Sequence, residues 1–446
     1  MALSSAALAQ TTINENTPRI TGFFESSVQA NDNYDLRKKS LGDAGIWTNT
    51  IGAGLVDSTP ADRLELNARG SYRYANLPKI SDERGFDDQR VGFNYERIGN
   101  DDTINAQASY TRNDLDFFNP LDDIDDDGTF DNTSSTGTRE ALRARLSLAI
   151  NQEAPIGVDL NGYYNKIDFS GDHSDDLVDR EDYGLNGEVG FRLSRTLRAT
   201  VGGAYQYRYA DEDRETDRTT RSANVGLDAR LNERLSGYVR LGYSIVEIED
   251  RSPDRSRDEE GIIGNIGFTA DMPNGTFSGS FRSIVDENGE RVTLSFGRSF
   301  ALPRAEFSGN IGVSSSSDTP VRAVGSINYL QQMRDSRLRL TLGQSATTNS
   351  DSEDVVNTNG EITYQRDLTE LSSFNIGLRG ALSRYEDSDR RDDQRLNLTA
   401  QYNHALTRDW GYNVGYTHSY RQSRDVDGAR SNAVFFTLRR DFQALK

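Results

Sequence analysis

The densest chemistry in this sequence lies in one stretch, Asp114 to Thr138. Within it, Asp123-Ile124-Asp125-Asp126-Asp127-Gly128-Thr129-Phe130-Asp131 matches the opening of a D-x-D-x-D-G calcium loop. Carboxylates at alternate positions and a glycine at the turn suit a hard cation that takes oxygen ligands. The twelfth position is Ser134, where such a loop needs a bidentate Glu. Two readings stay open: a weak calcium site on Asp123, Asp125, Asp127 and Asp131, and a diffuse acidic loop that recruits divalent ions weakly. Catalysis has poorer material. His173 sits in another acidic loop, while His404 and His418 fall on the apolar phase of strand-like segments, with no serine to pair with. A Ser/His mechanism needs the imidazole beside a nucleophile. Cysteine is absent, which removes thiolate ligands, a cysteine nucleophile and disulfides. The expectation is a chain that is no enzyme and carries no cofactor apart from calcium in the acidic loop.

The elements that must position these residues follow from period and composition. In 446 residues no linker, helical block or change of period divides the chain after residue 20. Mean hydropathy is −0.72 and no run of 18 apolar residues occurs, so membrane-spanning helices are excluded. A low mean does not exclude a barrel, in which only every second strand residue meets lipid and the rest line a polar lumen. The formal charge, 51 − 70 = −19, disfavours nucleic acid as a partner.

Period two is written along whole segments. Leu197, Ala199, Val201, Gly203, Tyr205, Tyr207 and Tyr209 share one face, and Arg198, Thr200, Gly202, Ala204, Gln206 and Arg208 the other. Connections alternate between short (Asn100-Asp101-Asp102, Ser194-Arg195, Asn232-Glu233, Thr407-Arg408-Asp409) and long Asp-rich ones (Asp211 to Arg218, Asp250 to Glu260, Glu386 to Asp393). Short periplasmic turns and long outer loops are the habit of outer-membrane barrels. The prediction is therefore all-β: a transmembrane antiparallel up-and-down barrel of about 22 strands, within a range of 18 to 22. Its first strand is near Pro18 to Ala30 and its last near Arg430 to Phe442, and both termini are periplasmic. Arginines on the lumen phase, among them Arg240, Arg379 and Arg395, face Glu188, Asp228 and Glu361 as wall ladders. No G-G-x-G-x-D series supports a soluble solenoid.

Ahead of the barrel, residues 1–9 resemble the end of a secretory signal peptide, with Ala7-x-Ala9 as its small-residue cleavage site. Residues 10–17 read as a short periplasmic segment and 18–446 as the barrel. Large TonB-dependent transporters of similar strand number carry a plug domain before the barrel. With about 17 residues before the first strand, no plug domain is expected here.

The last strand, Val434-Phe435-Phe436-Thr437-Leu438-Arg439-Arg440-Asp441-Phe442, is similar to the C-terminal assembly signal of barrels, although Gln443 to Lys446 follow it. With the strand rhythm, this resembles the porin-like outer-membrane barrels of Gram-negative bacteria, in particular the β-barrel porin group linked to exopolysaccharide systems. In general porins the third outer loop folds into the lumen as an acidic constriction, and Asp114 to Thr138 is the third outer loop by count. The resemblance implies Asp122, Asp123, Asp125, Asp126, Asp127 and Asp131 facing Arg143, Arg145, Arg192 and Arg198, with a transverse field that selects by charge and size. A solvated surface loop stays open beside it. The functional expectation is passive passage of small hydrophilic solutes or ions. The alternative is an export conduit or structural partner in an envelope assembly, for example for surface polysaccharide. Partners would be outer-membrane lipid and lipopolysaccharide, with a further copy of the chain or a periplasmic protein as others.

Overall fold

The computed structural model describes residues 18–78, 83–119, 121, 136–171, 177–211, 215–251, 254–316, 320–348, 354–385, 392–423 and 428–444. Strands β1 to β6 span Arg19–Asn31, Ala44–Ser58, Asp62–Asn76, Glu83–Ile98, Thr103–Asp114 and Thr138–Ile150. Strands β7 to β12 span Ile156–Ser170, Arg180–Arg192, Leu197–Ala210, Thr216–Arg230, Leu235–Arg251 and Asp254–Met272. Strands β13 to β18 span Gly275–Asp286, Gly289–Leu302, Ala305–Ser316, Arg322–Gln332, Ser336–Thr348 and Asp354–Thr369. Strands β19 to β22 span Ser372–Tyr385, Asp393–Ala405, Trp410–Gln422 and Ala429–Ala444.

All 22 strands form one sheet, each antiparallel to its chain neighbours. β1 closes it on β22, from Ile20↔Ala444 to Asn31↔Ala433, so no edge is left to pair with another chain. No helix among the described residues is long and apolar enough to cross a membrane. Closed strands are the other way to pair every backbone group in lipid. The count and the two terminal strands follow the sequence prediction. One loop does not. Asp250 to Glu260 is mostly strand, since β11 runs to Arg251 and β12 starts at Asp254, with Arg251↔Asp254 paired. Above the lipid a strand needs no apolar phase, and cross-strand charge pairs such as Arg221 with Glu247 (2.8 Å) suit it better.

Each strand has a wet face and a bare one. In β10, exposed Ala223, Val225 and Leu227 alternate with half-buried Ser222, Asn224, Gly226 and Asp228. Ile311 is 72% exposed and Leu241 59%, a pattern that water would penalise and lipid favours. On the inner face Arg240 donates to Glu188 (Nε to Oε2, 3.0 Å) and to both oxygens of Asp228 (2.7 and 3.1 Å). The wall ladder expected from phase is thus built, and each of these charges has its partner inside.

Candidate functional site at the outer mouth

Two segments leave the wall at its outer rim and turn inward. The first follows β5. Asp114 accepts from the Asp116 amide (3.0 Å) and starts a 3-10 turn at Leu115–Phe117, while Leu115 N donates to Gly137 O (2.9 Å). Asp87, ion-paired with Arg73, accepts from the Asp114 amide (2.6 Å). Leu115 packs on Ala141, Ile167, Phe169 and Leu177, and Phe117 lies under the Arg73 guanidinium (4.1 Å) beside Tyr34. The segment then reaches the far wall. Leu121 is buried against Ala381 of β19, and Arg379 Nη1 donates to its carbonyl (3.4 Å) while Nη2 holds Glu361 (3.5 Å). Seven strands (β4, β3, β2, β1, β22, β21 and β20) separate β5 from β19 on the shorter way round, so the contact crosses the interior. We call this segment the strap.

The root of the strap demands glycine. Gly137 has φ +120°, and a Cβ there would sit 2.3 Å from Ser170 O, with the Gly171 backbone also in contact. Only glycine takes this conformation without strain. Gly137→Ala should cost about 1–3 kcal/mol and shift the strap. Urea unfolding followed by heat-modified gel mobility measures the cost, and an unchanged midpoint would contradict it.

The second segment is the tip of the β13–β14 hairpin. Val285 is buried against Val246 and Ile248 of β11, with Ile263 of β12 packed beside them. Leu241 and Tyr243 of β11 point to lipid, so the tip rests on the opposite, lumen phase of that strand. The inward turn brings Glu287 onto Arg218 of β10 as an ion pair. Arg291 then ties the tip to Asp286 (2.7 Å) and to Asp354 at the head of β18 (2.8 Å).

Beside the strap root the described residues gather carboxylates. One oxygen each from Glu83, Asp114 and Asp116 lies within 4.8 Å of the others, a set that could hold a hard cation. Burial, then Asp114, Glu83 and Asp35, push the Asp116 carboxyl up to about 7, against the pull of Arg37. An acid whose folded value is raised gives stability that is whole below its unfolded value of 3.8 and lost as pH rises through about 7. The strap root should therefore exchange its amide hydrogens faster at pH 8 than at pH 5 after correction for the intrinsic rate. Asp116→Asn should flatten that difference, and a difference that persists in the variant would contradict it.

The acidic residues singled out from sequence, Asp122, Asp123, Asp125, Asp126, Asp127 and Asp131, lie outside the described residues, and so does the calcium motif. The arginines fall at two levels. Arg143 and Arg145 lie mid-wall on β6, opposite Ser109 and Gln107 of β5. Arg192 and Arg198 pair with each other across β8 and β9 at the inner-turn end, a full strand from the loop root. There Arg192 Nη2 bonds Gln152 O (3.0 Å) and Arg198 Nη2 bonds Asp159 (2.9 Å). Sequence reasoning placed Arg379 on the inner wall with Glu361 but missed its bond to the Leu121 carbonyl, and it missed Glu287 and the Glu83 set. Phe117-Phe118 amid acidic residues was the available signal, since adjacent aromatics in a polar loop have to be packed somewhere.

No protein-family model and no curated protein matches this chain, but its fold has solved counterparts. The FrpB iron transporter from Neisseria meningitidis superposes with TM-score 0.56 at 9% identity, covering 95% of this chain and 82% of that one. The copper transporter OprC gives 0.52 at 11%, covering 97% and 82%. The ferripyoverdine receptor of the outer membrane of Pseudomonas aeruginosa gives 0.52 at 12%, covering 96% and 72%. This chain is a barrel of the bacterial outer membrane. The porin-like resemblance holds at that level, an outer-membrane β-barrel. Passive passage, expected from sequence, is overturned by the comparison: these solved counterparts are named as transporters and a receptor. None of these neighbours is an enzyme by name.

Proposed function

We propose that this chain is a receptor-type outer-membrane transporter that takes up a metal ion or metal complex. Its mouth is narrowed by its own inward segments. The observation that carries the uptake reading is the likeness, over nearly the whole chain, to a barrel named for iron and another named for copper. Barrels of about 16 to 18 strands already leave an aqueous channel, so 22 strands leave a lumen that side chains alone do not fill. The strap and the β13–β14 tip supply the obstruction, the one reaching β19 and the other joining β10 to β18. Lipopolysaccharide would be the outer-leaflet partner of the wall, and the outward Tyr110–Glu140 bond (3.0 Å) and Arg221–Glu247 pair offer polar groups suited to its headgroups.

The test is metal accumulation by the native host under metal limitation. Deletion of the gene should lower the uptake of radiolabelled iron supplied as its citrate complex, or of copper supplied as chloride, and the restored gene should recover it. Equal accumulation of both metals with and without the gene would overturn the reading.

A further inference from the structure

Arg208 of β9 and Arg218 of β10 are register partners, and Arg218 is in turn opposite Ile248, which faces Arg257 of β12. Four neighbouring strands therefore present three arginines at one height on the lumen phase. Arg208 has Asp182 at 4.0 Å. Into this row the hairpin tip inserts one carboxylate. The side chains of Arg218 and Glu287 are only 9% and 7% exposed, and Arg208, Arg257 and Asp286 also act on Glu287. The insertion is built, because Val285 seats the tip on β11 and Arg291 pins it to Asp286 and Asp354.

We propose that the Arg208–Arg218–Arg257 row is an anion-binding site for a carboxylate-rich ligand, and that Glu287 is the chain's own occupant of it, displaced when the ligand enters. Guanidinium groups are the side chains best shaped for carboxylates, which they grip with two parallel bonds. The row gathers three guanidinium groups around the inserted carboxylate. Glu287 is moreover a poor occupant: burial pushes its carboxyl up to about 7 despite Arg218, so near neutral pH it carries only part of its charge. A free polycarboxylate carries more than one negative charge at that pH and can bridge neighbouring arginines of the row. The tip is thus an autoinhibitory contact that an anion relieves. The inference deepens the uptake reading, on which its physiological role rests, by making the cargo anionic, as a metal carboxylate complex would be.

Radiolabelled citrate is the probe, used in equilibrium dialysis against the purified full chain in detergent at low salt and pH 7.5. Glu287→Gln should bind citrate at least about tenfold more tightly than the unchanged protein, since the resident charge is gone while the arginines stay. Adding Arg208→Gln and Arg257→Gln to that variant should abolish the gain, and Arg208→Lys with Arg257→Lys should recover part of it. Heat-modified gel mobility shows that each variant is a closed barrel, and the lysine form excludes loss of folding as the cause. Citrate bound no more tightly by Glu287→Gln than by the unchanged protein would overturn the proposal, as would a gain that survives neutralising the arginines. A barrel that binds citrate as expected yet accumulates no metal would sink the uptake reading and leave this site standing, and the converse result would do the reverse.

Discussion

Changing Leu121 to Asp together with Arg379 to Ala should open the outer membrane to large hydrophilic antibiotics. The strap's described hold on the far wall is one buried Leu against Ala381 and one charge-assisted bond to a carbonyl. Burying a Leu is worth about 1.5–3 kcal/mol, and a bond of this kind adds about 1.5 at a length of 3.4 Å. Losing both removes about 3 kcal/mol, which is about a hundredfold in the population of the released strap. The inhibitory concentration of an antibiotic too large for ordinary pores should fall by at least tenfold in cells carrying the variant. The chain has no cysteine, so Leu121→Cys with Ala381→Cys gives a clean control: oxidised, it should stay as tight as the unchanged protein. Unaltered sensitivity in the Asp/Ala variant would show that the strap does not close the path.

Leu241→Arg should have the largest effect on stability. Leu241 sits on the bare face of β11, opposite Val225 of β10, which is equally exposed. An Arg at bilayer mid-depth costs about 2–4 kcal/mol in a barrel wall, because hydrocarbon cannot solvate it. Ser222→Arg, on the wet face of β10 opposite Ser244, should cost less than about 1 kcal/mol. Reversible unfolding in lipid vesicles by guanidinium measures both, and equal costs would contradict the assignment of faces.

Much of the wall was legible in the sequence because lipid imposes a local rule. Leu197 to Tyr209 alternates with Arg198 to Arg208 whatever the rest of the chain does, and turns such as Ser194-Arg195 interrupt the pattern at one rhythm. The rule lapses where the strands leave the lipid. From Asp250 to Glu260 the charges suggested a loop, although the backbone continues as a ladder in water. The interior was less legible still. Leu121 meets Ala381 and Glu287 meets Arg218 through contacts between residues far apart in the chain, and nothing near any of these residues records its partner. Phase placed Arg192 and Arg198 on the inner wall but said nothing of their height, which puts them on Gln152 and Asp159 at the inner turns.

Whether the barrel is closed by its own segments until cargo opens it can be read from single-channel recording of the purified, unaltered protein in planar bilayers. The membrane should stay quiet at low voltage, with no steady conductance of the size a 22-strand lumen would give if left open. Long-lived, ohmic open steps in the absence of any ligand would contradict that closure.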